Sequence, residues 1–126
     1  MARVLVVDDH EDSRDLIAAM LAPAHEALLA ADGDEALAIL GREPVDVAVV
    51  DIYMPGKDGI AVIREVRRTF PRVKVVAISA GWGAQQTLSF DVLAQARALG
   101  AEGALPKPLM RNALLALVEG LVEPVS

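Results

Sequence analysis

Four short apolar runs in this chain each end on a polar side chain of a chemically useful kind. Arg3-Val4-Leu5-Val6-Val7 runs into Asp8-Asp9, and Val45-Asp46-Val47-Ala48-Val49-Val50 runs into Asp51. Val73-Lys74-Val75-Val76-Ala77-Ile78 ends on Ser79, and Gly103-Ala104-Leu105-Pro106 ends on Lys107-Pro108. Near-continuous Val/Ile/Leu runs of this length suit parallel strands covered on both faces. Helix-length amphipathic stretches lie between them, and this alternation predicts an α/β domain with a parallel sheet and right-handed crossovers. In such sheets ligands bind beyond the carboxyl ends of the strands. The pattern therefore gathers three acids, a hydroxyl and an ammonium on one rim.

The spacing places strand 1 near residues 3–7, a weaker strand 2 near 26–30, strand 3 near 45–50, strand 4 near 74–78 and strand 5 near 103–105. A first helix begins near Asp12 or Ser13, either of which could cap it, and ends before Pro23. Asp32-Gly33-Asp34 reads as a turn and cap before a second helix over about Glu35–Gly41. A third runs from about Gly59 to Thr69, with Ile60, Ile63, Val66 and Phe70 on one face. A fourth covers Leu88–Leu99, stopped by Gly100, and a fifth covers Met110–Val122. A length of 126 residues with no repeats or linkers reads as one domain, residues 1–126.

Composition excludes several function classes. With 12 basic against 18 acidic residues the net charge is -6, which argues against direct nucleic-acid binding. One Trp, one Tyr and two Phe leave little for base stacking, and the absence of Cys removes thiolate chemistry. No apolar stretch is long enough for a membrane span, and no signal peptide opens the chain. These features give an expectation of a cytoplasmic protein.

Alone, each polar group has an ordinary reading: Asp8-Asp9 as helix caps, Asp51 as a turn residue, Ser79 as a loop hydroxyl, Lys107 as surface. Together they point to a divalent cation and a phosphoryl group. Carboxylates sharing a cleft raise one another's pKa, and a hard cation with oxygen ligands relieves the repulsion. Mg²⁺ suits a site with few carboxylates and several waters. With Lys107, such a cation neutralises the oxygens of a transferring phosphoryl group, so an ionised Asp51 can attack phosphorus. His10 beside the acids reads as a loop residue at the rim. Arg64, Arg67, Arg68, Arg72 and Lys74 read as a solvated basic face.

Val6-Val7-Asp8-Asp9, Asp51-x-x-Met54-Pro55-x-x-Asp58-Gly59, Ser79-Ala80 and Lys107-Pro108 resemble the response-regulator receiver domain of two-component signalling, in order and spacing across the whole chain. The resemblance implies a doubly wound, flavodoxin-like (βα)5 fold with strand order 2-1-3-4-5. It implies that Asp51 accepts a phosphoryl group from a histidine kinase or phosphotransfer protein. Asp9 would ligate Mg²⁺ directly and Asp8 through water, with Asp51 and the backbone carbonyl of Tyr53 completing the protein ligands. Ser79 would be the switch hydroxyl, Lys107 the phosphoryl partner, and Lys107-Pro108 a cis peptide. The implied partners are the phosphodonor, a downstream protein target or output domain, and a second copy through the fourth helix, fifth strand and fifth helix. The implied role is a switch that catalyses only its own phosphorylation and dephosphorylation.

Two features depart from the family pattern. Ala104 stands where an aromatic is usual, and the Ser79–Gly100 segment, with Gly81-Trp82-Gly83, is longer than expected. The first keeps open a non-phosphorylated interaction module. A Mg²⁺-dependent phosphohydrolase with an aspartyl-phosphate intermediate is disfavoured, because Tyr53 and not an acid follows Asp51 by two.

Overall fold

A computed structural model describes residues 1–52, 59–79, 94, 97–98 and 100–122. Five parallel strands, β1 (Arg3–Val7), β2 (Glu26–Ala30), β3 (Val47–Asp51), β4 (Lys74–Ser79) and β5 (Gly103–Pro106), form one sheet in the order β2-β1-β3-β4-β5. Among the described residues, α1 (Glu11–Leu21), α2 (Gly33–Arg42), α3 (Gly59–Thr69) and α4 (Arg111–Leu121) are continuous helices that connect or follow them. The expected flavodoxin-like class and strand order are thus present. Of the helix expected over 88–99, only Ala94, Arg97 and Ala98 are described, all helical; the rest lies outside the described residues.

The two-residue period of the strands explains why their apolar runs are unbroken. Leu5, Val7, Ala48, Val50, Val75 and Ala77 point to one side, where Ile39, Ile63 and Val66 of α2 and α3 cover them. Val4, Val6, Val47, Val49, Val76 and Ile78 point to the other, against Ile17, Leu21, Leu114 and Val118 of α1 and α4. The β-branched residues at the centre are completely buried, each contributing roughly 1.5–3 kcal/mol. β2 is mostly exposed or half-buried, with only Ala30 fully buried, because it lies at the sheet edge, matching its weak apolar signal.

Several boundaries differ from expectation for identifiable reasons. β3 starts at Val47, because the Asp46 carboxylate accepts the Arg3 N–H at 2.9 Å and occupies the ladder's first position. Its last residue is Asp51, paired with Ile78, so the acid belongs to the strand. α1 begins at Glu11 with His10 as N-cap and no side-chain cap bond; neither Asp12 nor Ser13 caps it. Asp32 does cap α2, accepting from Glu35 N at 2.8 Å, while Glu35 Oε1 accepts from Ala31 N at 2.6 Å. The pair resembles a capping box, except that Glu35 reaches one residue past the N-cap, to the Ala31 amide. On α3, Val62 is fully buried, while Ile60 and, just past the helix end, Phe70 are only partly so.

The basic cluster also needs correction. Arg64, Arg68 and Arg72 are exposed, but Arg67 is not a solvated charge. Its guanidinium donates to Pro71 O at 2.6 Å, to Gly100 O at 3.3 Å and to the Glu102 carboxylate. Glu102 Oε1 in turn accepts Val75 N at 2.7 Å, so this pair ties α3 to the entry of β5. Gly100 has φ 121°, and a Cβ there would lie 2.5 Å from Arg67 Cδ. Only glycine gives both that backbone and that space.

Candidate functional site

Sheet register brings the expected residues together. Asp8 follows β1, Asp51 ends β3, Ser79 ends β4 and Lys107 follows β5, all at one edge. Backbone bonds lock the rim: Asp8 N to Ala30 O at 3.1 Å, Ile52 N to Ile78 O at 2.9 Å, and Lys107 N to Ser79 O at 2.8 Å. Asp8, Asp51 and Ser79 are buried, although each is polar.

Lys107 joins the two buried carboxylates. Its Nζ donates to Asp8 Oδ2 at 2.6 Å and to Asp51 Oδ2 at 3.2 Å. Asp8 also accepts from His10 N at 2.9 Å through Oδ1 and from Ser13 Oγ at 2.7 Å through Oδ2. Burial pushes the Asp8 carboxyl up, but the Lys107 ammonium, the His10 amide and the Ser13 hydroxyl outweigh it and hold it below the ordinary range. Burial likewise pushes Lys107 down, and the Asp8 and Asp51 carboxylates outweigh that and hold the ammonium above its ordinary value. Both groups are therefore charged at neutral pH. The Lys107–Pro108 peptide is cis, as expected, and so is Ala22–Pro23.

The carboxylates also fit a hard cation. Ligand atoms of Asp8, Asp9, His10 and Asp51 lie within 4.8 Å of one another. Asp9 Oδ1 is buried and, among the described residues, has no hydrogen-bond partner. His10 Nδ1 is 3.2 Å away but not aligned to donate, and its side chain is 72% exposed, which places it at the rim as expected. An unpartnered carboxylate oxygen on Asp9, in a cluster with two further carboxylates, is an oxygen-donor set of the kind Mg²⁺ takes. Tyr53, Asp58 and Trp82 lie outside the described residues. Ala104 is half-buried and packs against the core cluster on the α3 side of the sheet.

Two contacts escaped sequence reasoning. Ser13, read as a cap, donates to Asp8, and Arg14 Nη1 donates to Asp8 O at 2.8 Å. The five- and six-residue spacing from Asp8 was the available signal, once the helix start is moved to Glu11.

The sequence matches the family described as response regulator receiver domain over residues 4–119. The hydrogenase transcriptional regulatory protein HoxA of Cupriavidus necator is 34% identical over 97% of this chain and 24% of its own length. The transcriptional regulatory protein CpxR of Klebsiella pneumoniae is 30% identical over 97% of this chain and 50% of its own. The chain thus spans between a quarter and a half of these relatives. The receiver domain of NtrX from Brucella abortus superposes with a TM-score of 0.84 at 34% identity, covering 97% of this chain and 99% of that one. With strand order and sequence in agreement, the chain belongs to the response regulator receiver domain family of two-component signalling.

Proposed function

We propose that Asp51 is the phosphoacceptor of a two-component switch comprising residues 1–126, and that the reaction depends on Mg²⁺. The observation that carries this reading is the shared grip of Lys107 on Asp8 and Asp51 at the end of the central strand. An Asp51 oxygen attacks phosphorus of a phosphohistidine, the P–N bond breaks, and the imidazole nitrogen keeps the bonding pair. An acyl phosphate on Asp51 results. Lys107 follows the new phosphoryl oxygens, and the Ser79 hydroxyl, on the neighbouring strand, donates to another. Asp8, Asp9 and Asp51, with the Tyr53 carbonyl, would hold Mg²⁺, which when bound screens the negative charge of the incoming group.

The donor is a histidine kinase or histidine phosphotransfer protein. An apolar groove of ≈ 440 Å³ beside the rim, lined by Ser13, Leu16, Ile17, Met20, Lys107 and Leu109 among others, supports a protein donor. The output is a change in binding to a downstream target or output domain, or to a second copy, in the cytoplasm. No helix among the described residues is long and apolar enough to cross a membrane. The test is to incubate the chain with acetyl phosphate and Mg²⁺ and weigh it intact. Gain of one phosphoryl group, lost on omitting Mg²⁺ and in Asp51→Asn, is expected. No gain, or equal gain in Asp51→Asn, would refute the assignment.

A further inference from the structure

Asp8 Oδ2 has two donors, Ser13 Oγ at 2.7 Å and Lys107 Nζ at 2.6 Å. Lys107 therefore rests nearer Asp8 than Asp51, whose Oδ2 is 3.2 Å away. To follow a phosphoryl group on Asp51, the ammonium must loosen its hold on Asp8. That takes the ammonium from a fully buried carboxylate and leaves Mg²⁺, when bound, and the remaining hydrogen-bond donors to satisfy it. Ser13 is such a donor, and its position is fixed by α1, independently of Lys107. The first turn of α1 holds the same residue at its other end, since Arg14 Nη1 donates to Asp8 O. Nor is the hydroxyl spent on the helix: the N-cap is His10, and Ser13 turns to Asp8 instead.

We infer that Ser13 is a positioning residue: its hydroxyl keeps Asp8 satisfied when Lys107 moves, and so sets how readily Lys107 transfers to a group on Asp51. The inference rests on the receiver reading above. A hydroxyl donating to a carboxylate draws charge from the oxygen that Lys107 shares, which weakens the resting grip and stabilises the vacated state. The effect belongs to the hydroxyl, so threonine should supply it and alanine should not.

The experiment is a calorimetric titration of the full chain with beryllofluoride at saturating Mg²⁺, using wild type, Ser13→Ala and Ser13→Thr. The same serine changes are repeated in a Lys107→Ala background. Ser13→Ala is expected to weaken beryllofluoride binding about tenfold, the scale of one hydrogen bond to a charged group. Ser13→Thr should restore most of the loss, and Ser13→Ala should change little when Lys107 is absent, because the two act on one oxygen. In the metal-free protein, the ¹⁵N resonance of the Lys107 ammonium should shift in Ser13→Ala. Wild-type affinity in Ser13→Ala, no recovery in Ser13→Thr, or an equal loss with and without Lys107 would each overturn the inference. A wild-type chain that binds no beryllofluoride would instead overturn the receiver reading, and this inference with it.

Discussion

Gly59 is where the fold and the site are most tightly coupled. It opens α3 directly over the end of β3, and its N–H donates to Ile52 O at 3.0 Å. A Cβ on Gly59 would lie 2.2 Å from Asp51 O, 2.5 Å from Ile52 Cα and 2.9 Å from Asp51 C. All three are backbone atoms, so no side chain can rotate away. Restoring ordinary contact requires the helix start to retreat by about 1 Å or more. Overpacking of this kind costs about 3 kcal/mol, the upper end of its usual range. Alanine is the better helix former by up to about 1 kcal/mol, which offsets part of that. Gly59→Ala should therefore destabilise by about 2 kcal/mol and lower Tm by about 8 °C in a domain of this size. A displacement of that scale at Asp51 should also slow phosphorylation by about 100-fold. Thermal unfolding followed by circular dichroism, and the rate of labelling by acetyl phosphate, measure the two effects. An unchanged or raised Tm would refute the steric reasoning; a lowered Tm with a wild-type labelling rate would refute the coupling to Asp51.

Lys107→Ala should destabilise the metal-free protein by about 3 kcal/mol in urea, because two buried carboxylates lose their cation, and added Mg²⁺ should recover part of the loss. Asp8 titrates below its ordinary value in the folded state, so its contribution to stability is complete above about pH 4 and disappears as pH falls through the lowered folded value. Asp8→Asn should accordingly flatten the acid side of a stability-versus-pH curve. The Lys107 contribution has the opposite sign, present below about pH 10 and lost as pH rises through the raised folded value. Arg67→Ala should cost about 2 kcal/mol in urea by freeing Glu102 and the Gly100 carbonyl, yet leave phosphorylation at its wild-type rate, since Arg67 is remote from the rim.

The ends of the strands were legible because a fully buried parallel strand must be apolar at every position, so the first polar group marks the rim. Asp8 and Lys107 follow directly from that rule, and Asp51 and Ser79 are displaced from it by one residue because they still pair with Ile78 and Pro106. Helix α2 was legible because its cap is local: Asp32 accepts from Glu35 N, and the Glu35 carboxylate accepts from Ala31 N. The start of α1 was not, because the side chain best suited to cap it, Ser13, is taken by the carboxylate just after β1. Cap rules compare neighbours in sequence and cannot see a competing acceptor supplied by the site. Arg67 was misread for a related reason. Its partner Glu102 is 35 residues away, and nothing in the local pattern of α3 separates it from exposed Arg64 and Arg68. The close approach of Gly59 to Asp51 was equally hidden, since a glycine at a helix start has an ordinary local explanation.

The central claim is that a covalent acyl phosphate forms on Asp51 and on no other acid of the rim. Borohydride reduces an acyl phosphate at its carbonyl carbon, turning the modified aspartate into homoserine. The chain is incubated with Mg²⁺ and acetyl phosphate, quenched with borohydride, digested, and sequenced by tandem mass spectrometry. Homoserine at position 51 alone, dependent on both reagents, is the predicted result. Homoserine at Asp8 or Asp9, or none at 51 under conditions that add a phosphoryl group to the intact chain, would contradict it.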